Sequence, residues 1–160
     1  MLDDNVIRTA LRSQYGAALA MLRSAVTNCP PSIWEDAADK NRFWHVAYHA
    51  LFYTHLYLHS SFEEFTPWSR HREEYESMDK TPTPRYEQVE VLDFLDECKE
   101  FADKTMTALD LDAPSGFYWL RMNKLELQIY NIRHIQLHAG ELAERLSQRA
   151  AVDVHWVSTG

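Results

Sequence analysis

Four stretches of this chain repeat an apolar residue every three or four positions, and that recurrence admits little besides packed helices. The first spans about 5–27 and carries Ile7, Leu11, Tyr15, Ala18, Leu22 and Val26. Pro30 and Pro31 follow it, and a double proline cannot continue a helix. The second spans about 41–60, with Asp39 or Asn41 available as its cap. It is apolar or aromatic nearly all round, from Phe43 and Trp44 to Tyr57 and Leu58. Such a helix belongs inside a bundle or at a subunit interface. The third is expected from Pro84 with Thr83 as cap, through the stripe Val89, Leu92, Leu95, Cys98, Ala102, Met106 and Leu109. The fourth is expected over about 117–149, with Leu125, Ile129, Ile132, Ala139, Leu142 and Leu146 as its apolar face.

These segments predict an all-α chain. Four glycines and six prolines in 160 residues are too few for a turn-rich β fold. The length suits one domain, expected over residues 1–150. A tail at 151–160 follows, either poorly ordered or docked through Trp156. The connections are short except for residues 61–83. So long a crossover can return the chain to the same end, which predicts that helices two and three run parallel.

Charge narrows the partners. The formal net charge is −8, and lysines and arginines are scattered among acids. A nucleic-acid binder shows a basic stripe, and none is visible, so neither nucleic acid nor an anionic membrane surface is an expected partner. Cys29 and Cys98 are the only cysteines and lie far apart, which reads as two reduced thiols rather than a disulfide framework. The start, Met1-Leu2-Asp3-Asp4, lacks the basic-then-apolar pattern of a signal peptide. The apolar stretch at 43–58 is interrupted by histidines and does not read as a membrane span. A cytoplasmic location is the resulting expectation.

The histidines carry the chemistry. Of eight, six fall into pairs four residues apart: His45 with His49, His55 with His59, and His134 with His138. Random placement gives roughly 0.4 such pairs in a chain of this composition, so three is an excess. The spacing puts both imidazoles on one helix face, where one helix can offer two ligands to one metal. By helical angle, His134 and His138 sit on the shoulder of the apolar face, where a groove would lie. His49 lies among apolar residues and is costly to bury without a hydrogen bond or a metal. A core histidine bonded to a carbonyl or a tyrosine remains the alternative.

Two stretches resemble a known family. NIRHIQLHAGEL, from Asn131 to Leu142, is similar to the last-helix signature of DinB/YfiT-like proteins. There two histidines separated by three residues precede a small residue, Gly, Gln and Leu. FWHVAYHALFY, from Phe43 to Tyr53, resembles that family's second-helix motif. The resemblance implies an up-down-down-up four-helix bundle. It also implies a divalent metal, zinc or nickel, held by His49, His134 and His138, with His45 as the competing ligand on the second helix. Members of the family include thiol-dependent transferases and isomerases, and many are dimers. A low-molecular-weight thiol cosubstrate and a homodimer are therefore expectations here. Glu141 departs from the frequent Gln after the glycine.

Three neutral imidazoles leave a zinc-like ion one open position, which reads as catalytic. The expectation is a metal-dependent transferase or hydrolase acting on a small molecule. Tyr53, Glu141 and His45 are the candidates for orienting a ligand or moving a proton. The aromatic-rich segment 61–83 is expected to cover the site mouth, to plug the core, or to form a dimer contact. The competing expectation is a non-catalytic metal- or small-ligand-binding bundle.

Overall fold

The computed structural model describes residues 3–160. It is all-helical, with α1 (Asp4–Thr27), α2 (Pro31–Trp34), α3 (Phe43–Leu58), α4 (Gln88–Thr105) and α5 (Lys124–Ala150). No strand occurs among the described residues; Pro114 and Asn123 form one isolated bridge. No described helix is long and apolar enough to cross a membrane.

Each long helix starts where local chemistry can satisfy its free N–H groups. The Asp3 carboxylate accepts from the Asn5 N–H at the head of α1. Glu87 and Glu90 form a reciprocal capping box at α4. The Asn123 side chain accepts from the Glu126 N–H at α5. Helix α3 follows Arg42 with no side-chain cap, so neither Asp39 nor Asn41 has the capping role expected of it. The caps also correct two starts. Helix α4 begins at Gln88 rather than near Pro84, and α5 begins at Lys124 rather than Phe117. In the second case Ser115 bends the preceding loop, accepting from the Phe117 N–H and donating to the Leu120 carbonyl. The short α2 was not expected; Pro31 sits in its first turn, and the Trp34 indole donates to the Tyr86 carbonyl at 3.0 Å.

Helix α1 packs on α4 and α5, and α3 packs on the same two from across the core. The start of α1 meets the chain beyond α4, where Arg8 donates to the Leu109 carbonyl at 2.8 Å. Its end meets the start of α4, where the Gln88 amide donates to the Val26 carbonyl. Tyr15 and Met21 meet Gln128 and Gln136 of α5 in the same order along both helices.

Fourteen of the sixteen residues of α3 are buried, as its all-round apolar sequence demands. The two that are not, His49 and Tyr53, lie one turn apart. Helix α5 buries a mixed stripe of Leu127, Gln128, Asn131, Ile135, Ala139, Leu142 and Leu146. The expected Ile129 faces outward instead. On α4 the expected Val89 is likewise exposed, and Val91 and Phe94 take the core positions.

Polar side chains set the register of α5 on α3. Gln128 accepts from the Tyr15 hydroxyl at 2.5 Å and donates to the Tyr57 carbonyl at 3.2 Å. Asn131 donates to the Thr54 carbonyl at 3.1 Å. A slip between the helices would leave these groups buried and unpaired, each at ~1–3 kcal/mol.

Segment 61–83 divides its tasks. Trp68 and Tyr75 are buried; the Trp68 ring stacks on Phe94 with centroids 4.5 Å apart. Tyr75 and Glu76 reach α3, as described below. The tail lies back along α1: the Gly160 N–H donates to the Ser13 carbonyl and Gln14 donates to the Ser158 carbonyl. It docks through Val154 and Val157, not through Trp156, which is exposed.

Candidate metal centre

The register of α3 on α5 brings His49 against His134 and His138. Their ligand atoms lie within 4.8 Å of one another. His134 Nε2 is 3.3 Å from His49 Nε2 and 3.2 Å from His138 Nε2. Two nitrogens bound tetrahedrally to a zinc-like ion at about 2.0–2.1 Å would be about 3.3 Å apart. The observed spacing is the edge of such a tetrahedron.

The outward nitrogens decide what the inward ones can offer. His49 Nδ1 lies 2.7 Å from the Glu76 carbonyl. A carbonyl only accepts, so Nδ1 carries the proton and Nε2 presents a lone pair. His138 Nδ1 lies 3.2 Å from the Glu141 carboxylate, which assigns the same tautomer. Two lone pairs therefore face His134 Nε2, and a single proton there can satisfy only one of them. His134 Nδ1 is buried and has no hydrogen-bond partner. Three convergent imidazole nitrogens, two of them presenting lone pairs, suit a cation at their centre better than a single shared proton. The donor set thus fits a divalent metal.

Burial keeps His49 and His134 neutral. Burial pushes His49 down to about 4. Burial, and then the His138 and His49 rings, push His134 down to about 3. The His138 hydrogen bond, and then Arg145, hold the Glu141 carboxyl below its ordinary range. Glu141 remains an anion at neutral pH and orients His138, in the carboxylate–histidine pattern of metal sites.

His45 is not brought to the cluster. Fully buried, its Nε2 lies 2.8 Å from the Tyr75 carbonyl. It holds the residue before Glu76, and thereby the carbonyl on His49. This corrects the expectation that His45 competes as a ligand or faces a substrate. His55 and His59 form no part of the cluster either, and pack with Phe65 and Phe101.

Beside the three histidines opens a cavity of about 560 Å³ lined by His49, His134, Glu76 and a wall of aromatics. Tyr53 lines it, its ring centroid 4.9 Å from His49 and 5.6 Å from His134. Burial, then the nearby Glu76, raises the Tyr53 pKa, so its hydroxyl stays protonated and can donate. Phe62 and Phe65 place segment 61–83 over this cavity, as one of the three expectations held.

Glu76, Trp119 and Tyr130 were not singled out from the sequence. Glu76 is one of several acids in an irregular segment. Trp119 and Tyr130 come from the loop before α5 and from its outer shoulder. No spacing rule links such positions. In comparisons with protein-family models, curated proteins and solved structures, no match to this chain was found.

Proposed function

We propose that this chain is a divalent-metal-dependent enzyme of DinB/YfiT-like character, an up-down-down-up four-helix bundle acting on a small molecule. The observation that carries the reading is the convergence of three histidine Nε2 atoms, with the outward nitrogens of His49 and His138 held by Glu76 and Glu141. The helix order is supported by the end-to-end pairings of α1 with α4 and α5, and by His55 meeting Phe94 and Phe101 of α4. The family assignment rests on the two histidine motifs alone.

A bound zinc or nickel ion would supply a Lewis-acid position open to water or to a low-molecular-weight thiol. The residues do the rest. His49, His134 and His138 hold the ion. The Glu76 carbonyl and the Glu141 carboxylate fix the ring tautomers and so keep Nε2 free. The aromatic wall excludes water from one side of the site, and Tyr53 offers a hydroxyl donor to a molecule bound there. A transferase or hydrolase suits this arrangement. A cavity next to an open coordination position favours it over a purely structural metal site.

The homodimer belongs to the same proposal. An apolar groove between α1 and α5, walled by Val6, Ile7, Leu125 and Ile129, supports it.

Elemental analysis of untagged protein purified without chelator tests the reading, beside a His49→Ala/His134→Ala/His138→Ala variant. About one equivalent of zinc or nickel in the wild type and none in the folded variant is expected. No metal in the wild type after reconstitution would remove the reading.

A further inference from the structure

The cavity beside the histidines has a pronounced chemical bias. Tyr53, Tyr57, Phe62, Phe65, Trp119 and Tyr130 turn toward it, and Glu76 is the one formally charged side chain in its lining. No lysine or arginine is among the lining residues.

The Glu76 carboxylate is not neutralised from behind. Its Oε2 is buried without a hydrogen-bond partner. The cation-capable group facing it is His71, with Nε2 at 3.8 Å, beyond hydrogen-bond reach. His71 Nδ1 is hydrogen-bonded to the Tyr48 hydroxyl at 2.6 Å. Burial lowers the His71 pKa, so at neutral pH this ring carries no charge. The Glu76 side chain as a whole remains 32% exposed.

We propose that this cavity binds a small organic cation, an ammonium or quaternary ammonium group on an apolar body, with the charge held between Glu76 and the aromatic rings. Aromatic faces attract cations through their quadrupoles, and desolvated sites strengthen that attraction. In the metal-free protein an anionic ligand would meet Glu76 with no lysine or arginine in the lining to compensate. A neutral one would fill the cavity and gain nothing from the Glu76 charge. The volume of about 560 Å³ suits a molecule of metabolite size. As the substrate class, this proposal rests on the metal-enzyme reading. As a binding property, it stands on the cavity alone.

The test is calorimetric titration of the full chain, metal-free and zinc-loaded, with three probes that share a benzyl body: benzyltrimethylammonium, its neutral isostere neopentylbenzene, and phenylacetate as the anion. Wild type is expected to prefer the ammonium by about tenfold or more over the isostere. Glu76→Gln, checked for fold by circular dichroism, should erase that preference while still binding the isostere. Glu76→Asp, which keeps the charge, should restore part of it. Equal binding of cation and isostere in both metal states, or a preference that survives Glu76→Gln, overturns the proposal. A variant outside the cavity separates the two readings. His138→Ala, whose ring does not line the cavity, should weaken zinc and keep the ammonium preference, whereas failure of the metal reading alone would appear as wild type that prefers the cation and binds no zinc.

Discussion

Removing the Glu141 side chain should weaken the metal centre without dismantling it. Glu141 Oε2 is 3.2 Å from His138 Nδ1, while Oε1 takes Arg145 at 2.5 Å. Losing a carboxylate behind a metal-bound imidazole costs 10–100-fold in affinity, or about 1.4–2.7 kcal/mol. The Glu141 side chain is 39% exposed, so water can replace part of what is lost and the effect belongs at the lower end. The expected loss for Glu141→Ala is ~10-fold, about 1.4 kcal/mol. Arg145 should stay in place, because it also donates to the Asn41 carbonyl at 2.8 Å. Glu141→Gln keeps an acceptor for His138 Nδ1–H and loses only the charge, so its loss should be about threefold. Competition against a chromophoric chelator at pH 7.5 reads both variants. Glu141→Ala with wild-type affinity would refute the reasoning, since His138 would then need no orienting partner. Glu141→Gln weaker than Glu141→Ala would do the same.

Two further outcomes follow from burial and backbone geometry. His55 is packed against Phe94 and Phe101, and burial, then the charge of His59, pushes its pKa down to about 4. The unfolded chain therefore binds more protons as pH falls from about 6.5 to 4, and the stability present above 6.5 is lost across that window, by up to ~3 kcal/mol. His55→Phe should flatten this part of the urea-denaturation profile between pH 7.5 and 5; an unchanged slope would count against a neutral buried ring. Gly116 has φ of +85°, and a Cβ there would lie 2.2 Å from the Ser60 carbonyl oxygen. That carbonyl also receives Lys124 Nζ at 2.7 Å. Gly116→Ala should cost ~2–4 kcal/mol of stability, and a loss below about 1 kcal/mol by chemical denaturation would show that the turn can yield.

The sequence by itself determined the four long helices and the pairing of His134 with His138 on one face. Apolar recurrence every three or four residues is a local property, so α1 and α3 were legible almost to their ends. The spacing of His134 and His138 places both rings on one face whatever surrounds them. The starts of α4 and α5 were less legible. Thr83 and Phe117 have plausible neighbours, but Glu87 and Asn123 cap through side-chain hydrogen bonds that compete against the loops before them.

Tertiary structure alone decided how His45 and His49 divide their roles. Both lie on one face of α3, one turn apart, and nothing local distinguishes them. The register that Gln128 and Asn131 impose through the Tyr57 and Thr54 carbonyls sends His49 to α5, and His45 to the Tyr75 carbonyl. Glu76, Trp119 and Tyr130 come together only because a connection, a loop and a helix shoulder meet at that end of the core. A cavity is made of surfaces from segments distant in sequence, and such proximity leaves no periodic trace along the chain.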